Sequence, residues 1–241
     1  MSKKDKCYIL KERRERSLEL LNALFNKMLI DYTISPEIYE RMFRQAERDV
    51  DNFYRYVFGK KPINYRDTHI IKEVEKILEG FPIKKQHEAI EVDKIIKHSI
   101  QIVNELEEEY DTIVNILFGG IELGFALKSI SRILNKPINS EIVMVRYSLY
   151  DEHDKRIHVP YVLEHKLPEG KKILIMDDSV GTGRTLRRTK HFFEYLGNEV
   201  DITATEISYK YIENVKNGIK KGEVIDLKEL KFESGIPYRK R

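Results

Sequence analysis

Ile173-Leu174-Ile175-Met176-Asp177-Asp178-Ser179-Val180-Gly181-Thr182-Gly183-Arg184-Thr185 carries four apolar residues into two acids and then into a turn of small and hydroxylated residues. The apolar run has no polar alternation, which predicts a strand buried on both faces, in the middle of a parallel sheet covered by helices. A strand of that kind delivers its last residues to the carboxyl edge of the sheet, where open α/β folds keep their ligands. Burying two carboxylates without partners is costly, so Asp177 and Asp178 are expected to face a polar ligand or a cation. Two acceptor-only carboxylates suit the two hydroxyls of a ribose. The glycines of the stretch Ser179 to Thr185 let the backbone turn tightly and bring N–H groups close to a ligand. A helix from about Arg184 to Leu196, stopped at Gly197, points its positive end into the same loop, and the Thr182 and Thr185 hydroxyls add donors. The result is an anion site.

Outward from this stretch the chain repeats the theme. Thr112-Ile113-Val114-Asn115-Ile116-Leu117 is a second strand-like run that leads through Phe118-Gly119-Gly120 into a helix expected from about Glu122 to Leu134. Strand, Gly-Gly, helix is again a phosphate-cradle layout, although the same layout also serves plain helix packing. Glu141 to Tyr147 reads as another strand. Ser148 to Pro160 is a charged connection that carries Asp151, Glu152, His153, Asp154, Lys155 and Arg156. Connections of this length inside a compact domain are commonly functional or mobile, and a solvated hairpin tip is the alternative. A strand over Ile157 to Leu163, a turn at Gly170 and a last strand from about Asp201 to Ile207 complete an alternation of strands and helices. That alternation predicts a parallel α/β sheet.

The run from Ile173 to Thr185 resembles the signature of the type I phosphoribosyltransferases: four apolar residues, two acids, small residues, then Thr-Gly-x-Thr. The layout is nearest to the hypoxanthine-type members, and the resemblance spans roughly Val92 to Tyr209. It implies a substrate, 5-phosphoribosyl 1-pyrophosphate (PRPP), with Mg²⁺ held largely through ligand oxygens and water. Asp177 and Asp178 would hold the ribose hydroxyls, directly or through water the metal, and Ser179, Val180, Gly181, Thr182, Gly183, Arg184 and Thr185 would hold the 5′-phosphate. Phe118, Gly119 and Gly120 fall at the pyrophosphate loop, with Phe118 where Lys or Arg is frequent. Lys155 and Arg156 fall in the flexible catalytic loop. Gly181 stands where hypoxanthine-type members usually carry an Asp that helps deprotonate the purine. A hood over the base is expected after the last strand, where Tyr209 and Lys210 are candidates for stacking and for reading a carbonyl, and ordinary packing is the competing role. The implied activity is transfer of the phosphoribosyl group to a nitrogen acceptor, a purine or pyrimidine base, with release of pyrophosphate. The alternative is a PRPP- or nucleotide-sensing regulator on the same fold.

The first 85 residues differ from the rest, with helical periodicity and almost no glycine. Leu18, Leu21, Leu24, Phe25, Met28 and Leu29 share one helical face, and Ser35-Pro36 reads as the N-cap and first turn of a helix through about Phe58 that Gly59 ends. A third helix is expected from Thr68 to Leu78. The expected division is a helical appendage over 1–85 and a phosphoribosyltransferase-like α/β domain over 86–241. A homodimer is the expected assembly.

Composition narrows the classes. In 241 residues, 43 bases face 40 acids for a net charge of +3, too balanced for a nucleic-acid binder. No apolar run approaches a membrane span and the first residues lack a signal-peptide core, so a cytoplasmic protein is expected. The single Cys7 has no disulfide partner. The seven histidines show no zinc-ligand spacing, and no Walker A loop or G-x-S-x-G elbow occurs.

Overall fold

The structure, a computed structural model, describes residues 3–63, 67–83, 91–117, 119–147, 160–163, 166–216 and 226–232. The chain groups into two compact units, one of residues 1–89 with 128–137 and the other of residues 90–127 with 138–241.

The first unit is helical: α1 (Lys3–Met28), α2 (Pro36–Val57) and α3 (Thr68–Ile77). The apolar face of α1 is buried at Leu18, Leu21, Leu24, Phe25 and Met28, as the periodicity predicts. Helix α2 starts where Ser35 and Pro36 place it. The Ser35 side chain accepts from Glu37 N at 3.2 Å, and Pro36 takes a first-turn position whose N–H would have no helical partner. Asp67 caps α3 by accepting from His69 N (3.0 Å) and Ile70 N (3.2 Å). Phe25 packs on Tyr39 within this unit, which also buries a polar knot in which Asp49 accepts from Ser17 Oγ and from Gln45 Nε2 (3.0 Å). The second half of helix α5 (Leu123–Ile133) belongs to this unit: Ser129 Oγ donates to Asp51 at 2.8 Å, and Arg132 pairs with Glu47 at 3.2 Å.

The second unit is the α/β sheet that the apolar runs predict. Four parallel strands, β1 (Thr112–Ile116), β2 (Glu141–Val145), β3 (Lys172–Val180) and β4 (Glu199–Ile207), lie in the order β2-β1-β3-β4. Alternate residues face opposite layers. On one face Val114, Val143, Ile175 and Ile202 pack under Leu186 and Phe193 of α6 (Arg184–Tyr195). On the other, α4 (Val92–Glu105) meets β4, with His98 Nε2 3.1 Å from Thr203 Oγ1 and Lys94 Nζ 2.7 Å from Glu206. Helix α7 (Tyr209–Lys216) follows β4, and Ser208 closes the junction by donating its N–H (3.0 Å) and hydroxyl (2.9 Å) to Val180 O.

Two expectations are corrected here. The loop expected from Ser179 begins later, because strand β3 continues through the acids to Val180, pairing Asp177 with Ala204 and Ser179 with Glu206 on a β4 long enough to carry the ladder. The strand expected over Ile157 to Leu163 is, in its described part, a single antiparallel bridge between Tyr161 and Arg146, both bonds at 2.9 Å. Pro160 beside it has no N–H to extend a ladder. The outer edge of β4 is likewise met at one point, where Leu230 bridges Ile202 and Lys231 N donates to Ile202 O at 2.9 Å.

Candidate functional site at the sheet's carboxyl edge

From β1 the chain passes to β2 on one side, while β3 lies on the other side of β1 and leads on to β4. The order therefore reverses between β1 and β3, which opens a crevice beyond their carboxyl ends. The two glycine-bearing turns and the acid pair of the sequence converge on this edge.

Asp177 is 8% exposed, and its Oδ1 accepts from Asp178 N at 2.9 Å. Burial, and after it the charge of Asp178 beside it, pushes the Asp177 carboxyl well above the usual carboxylate range. Asp178 is half-buried and lies directly against the Gly119 backbone, so that a Cβ on Gly119 would run into its carboxylate. A Cβ on Gly120 would come within 3.1 Å of Met176 O and 3.5 Å of Asp177 Cα. The Gly119-Gly120 turn is thus seated on the end of β3: a side chain at Gly119 would displace the Asp178 carboxylate, and one at Gly120 would press on the β3 backbone. From Gly120 a short 3₁₀ turn (Gly120–Glu122) enters α5. Asn115, the penultimate residue of β1 and fully buried, holds that entry: Nδ2 donates to Ile121 O at 3.0 Å and Oδ1 accepts from Gly124 N at 3.0 Å.

The second turn, Gly181 to Gly183, links β3 to α6. Gly183 sits at the helix N-cap with φ 76°, the left-handed region that a side chain disfavours, and contributes no side-chain cap of its own to α6. Thr182 Oγ1 lies 3.4 Å from Arg184 N, while Thr185 is half-buried and Arg184 exposed. Val180 is buried in the core beneath α6, so only its backbone faces the turn's chemistry. Ser179 lies on the strand, half-buried.

Of the other expected positions, Phe118, Lys155 and Arg156 lie outside the described residues, and Tyr209 and Lys210 open α7 with side chains outside them too. Among the described residues no group of three or more His, Cys, Asp or Glu is placed to hold a metal, and no helix is long and apolar enough to cross a membrane. The first unit has a cleft of about 450 Å³ lined by Glu47, Arg48, Asp51 and Arg132, and the second unit has one of about 440 Å³ lined by Glu108, Tyr110, Lys172 and Lys231. Acids and bases in them pair with one another, Arg132 with Glu47 and Lys172 with Glu108.

Sequence reasoning passed over Asn115, Gly124, Tyr147 and Arg188. The last two join the end of β2 to α6 through Arg188 Nη1 and the Tyr147 hydroxyl at 2.7 Å. The signal for Asn115 was its place as a lone amide inside an apolar run.

Comparison with known proteins bears on the same region. A family model described as a phosphoribosyl transferase domain matches residues 84–217, more than half of the chain. An adenine phosphoribosyltransferase of Thermosipho melanesiensis is 31% identical over 137 residues, covering 53% of this chain and 74% of that protein. The enzyme of the same name from Thermosipho africanus is 29% identical over 191 residues, 74% of this chain and 98% of the relative. Among solved structures, a purine phosphoribosyltransferase from Pyrococcus horikoshii aligns at 21% identity and TM-score 0.35, over 49% of this chain and 72% of that one.

Proposed function

The chain belongs to the phosphoribosyltransferase family, and from that membership we propose that it binds PRPP with Mg²⁺ at the β1–β3 crevice and transfers the phosphoribosyl group to a purine nitrogen, releasing pyrophosphate. The observation that carries this reading is the seating of the Gly119-Gly120 turn against Asp177 and Asp178. Backbone suited to one anion and carboxylates suited to sugar hydroxyls lie side by side, with a second glycine turn opening a helix next to them.

In this reading Asp177 and Asp178 accept hydrogen bonds from the ribose hydroxyls, and Gly119-Gly120 takes the pyrophosphate through backbone N–H groups. Backbone from Ser179 to Thr185, with the hydroxyls of Ser179, Thr182 and Thr185, takes the 5′-phosphate. Phe118, Lys155 and Arg156 belong to the pyrophosphate side and Tyr209 and Lys210 to the base side. The residues present suit Mg²⁺: two adjoining carboxylates, one of them buried, gain from a cation, and the described residues offer no third acid or His to form a closed cage. Asp177 and Asp178 would hold the ion through ligand oxygens and water, and the ion supplies neutralisation of the leaving pyrophosphate.

The chain's own part in the chemistry is positional and electrostatic. As the bond from C1 to pyrophosphate breaks, the sugar gains positive character. The nearby carboxylates favour that charge while the glycine-turn amides hold the departing anion. Adenine is the first acceptor to test, because both Thermosipho relatives are adenine phosphoribosyltransferases. Gly181 also offers no carboxylate of the kind that hypoxanthine-type members use. The expected homodimer is part of the same proposal and is read by light scattering.

Calorimetric titration with PRPP and Mg²⁺, followed by pyrophosphate release against adenine, hypoxanthine, guanine and the pyrimidines, tests the whole. Binding with adenine-dependent release is expected, and Asp178→Asn should weaken binding without unfolding the protein. Binding without release for any base would favour the sensor, the reading that Phe118 and Gly181 support. Absence of binding overturns both.

A further inference from the structure

The geometry points to Asn115 as the positioning residue that sets the Gly119-Gly120 turn, and hence as a determinant of pyrophosphate affinity. This inference rests on the proposed function, and it concerns a residue that never reaches the ligand.

Asn115 is fully buried near the carboxyl end of β1, flanked by Val114 and Ile116 and paired with Met144 and Met176 across the sheet. A buried amide in such surroundings is tolerated only if its polar atoms are satisfied. Its two partners, Ile121 O and Gly124 N, are both main-chain atoms of the segment that carries the chain from the glycine turn into α5. Gly124 N–H lies in the first turn of that helix, where donors have no partner within the helix. Gly119, at the cap of the 3₁₀ turn, supplies no side-chain bond there. The strand therefore provides the cap that the turn itself lacks.

Gly124 confirms how closely the amide is fitted. A Cβ there would lie 2.7 Å from Asn115 Oδ1 and 3.0 Å from Ile113 Cγ2, so the position accepts the amide only without a side chain of its own. Held at Ile121 and Gly124, the turn has little freedom upstream, and Gly120 is set against Met176 O on the neighbouring strand. Asn115 thus fixes the height of the glycine turn above β3, which is the spacing between the pyrophosphate donors and the acid pair.

The test separates this from a general loss of structure. Asn115→Leu keeps the volume and removes both hydrogen bonds. For the full-length protein, dissociation constants are measured by calorimetry for inorganic pyrophosphate with Mg²⁺ and for adenosine 5′-monophosphate, whose phosphate belongs to the Gly181–Gly183 turn and which has no pyrophosphate. The expected result is pyrophosphate binding weakened about tenfold or more with the monophosphate constant changed less than about twofold. Equal weakening of both ligands, or no change in either, overturns the inference. If the unaltered protein binds neither ligand, the proposed function falls and takes this inference with it. If the unaltered protein binds both and Asn115→Leu matches it, the inference alone fails. Should Asn115→Leu not fold, Gly124→Ala, which pushes on the same amide, is held to the same two constants.

Discussion

Replacing Gly119 by Ala should leave the fold intact and damage the site. Gly119 has φ −79° and ψ −42°, in the right-handed helical region open to every residue, so the backbone does not require glycine. At such a position Gly→Ala commonly stabilises by about 0.4–1 kcal/mol through the unfolded chain. The obstacle is the Asp178 carboxylate, which the new methyl group would displace. A half-buried Asp can swing aside at small cost, so the melting temperature should move by no more than the equivalent of about 1 kcal/mol. Binding is another matter, because a hydrogen bond to a charged group contributes about 1.5–3 kcal/mol. Loss of the proposed Asp178 contact to a ribose hydroxyl should then weaken PRPP by about 10- to 150-fold. The assay is PRPP calorimetry with Mg²⁺ on four proteins: the unaltered chain, Gly119→Ala, Asp178→Ala and the double variant. If the methyl group acts through the carboxylate, Gly119→Ala should add less than about twofold once Asp178 is already Ala. Unchanged affinity in the single variant, or a full second penalty in the double variant, would refute the reasoning.

Two further outcomes follow from the described structure. His98 is 4% exposed, and burial lowers its pKa from 6.5 to about 4, so the folded state binds fewer protons than the unfolded one and stability rises with pH. The contribution should be complete above pH 6.5 and fall by up to about 3 kcal/mol as pH drops towards 4; urea denaturation across that window should show an acid limb that His98→Leu flattens, and identical limbs would sink the idea. Ser35→Ala removes the acceptor for Glu37 N and should cost about 1 kcal/mol, with Ser35→Asp restoring it; equal melting temperatures for all three proteins would show that the cap contributes nothing.

The elements that were legible in the sequence share a local cause. Strands β1 to β3 announce themselves as short apolar runs and β4 as an alternation of apolar and polar residues, and α2 is announced by Ser35-Pro36 at one end and Gly59 at the other. The acid pair and both glycine turns could be located because a buried strand must deliver its last residues to the carboxyl edge. What was not legible depends on partners far along the chain. Ser179 and Val180 read as loop, yet they extend β3 because Glu206 and Ile207 are there to pair with them. His98 looked like one of seven unclustered histidines, and its burial is decided by a strand 105 residues away. Nothing in Lys128 to Pro137 marks it as grouping with the first helices; the bonds from Ser129 and Arg132 do that. Asn115 is the intermediate case. Its oddity within an apolar run was visible, but its role required knowing that the chain doubles back to present Ile121 and Gly124.

The single-residue bridges at the two rims of the sheet bear on how this protein meets copies of itself. An open parallel sheet ends in two strands whose outward N–H and C=O groups invite another chain to add on, the usual route to edge-to-edge aggregation. Here Tyr161 occupies both outward groups of Arg146 just past β2, and Lys231 N occupies the outward carbonyl of Ile202 in the middle of β4. Glu199 and Asp201 place two acids on β4, and charge on an edge strand discourages docking by an apolar one. Each rim is therefore met at a single point by the chain's own backbone. Self-association by sheet extension is disfavoured, and a dimer that left these bridges intact would join through side-chain surfaces instead of a continuous ladder.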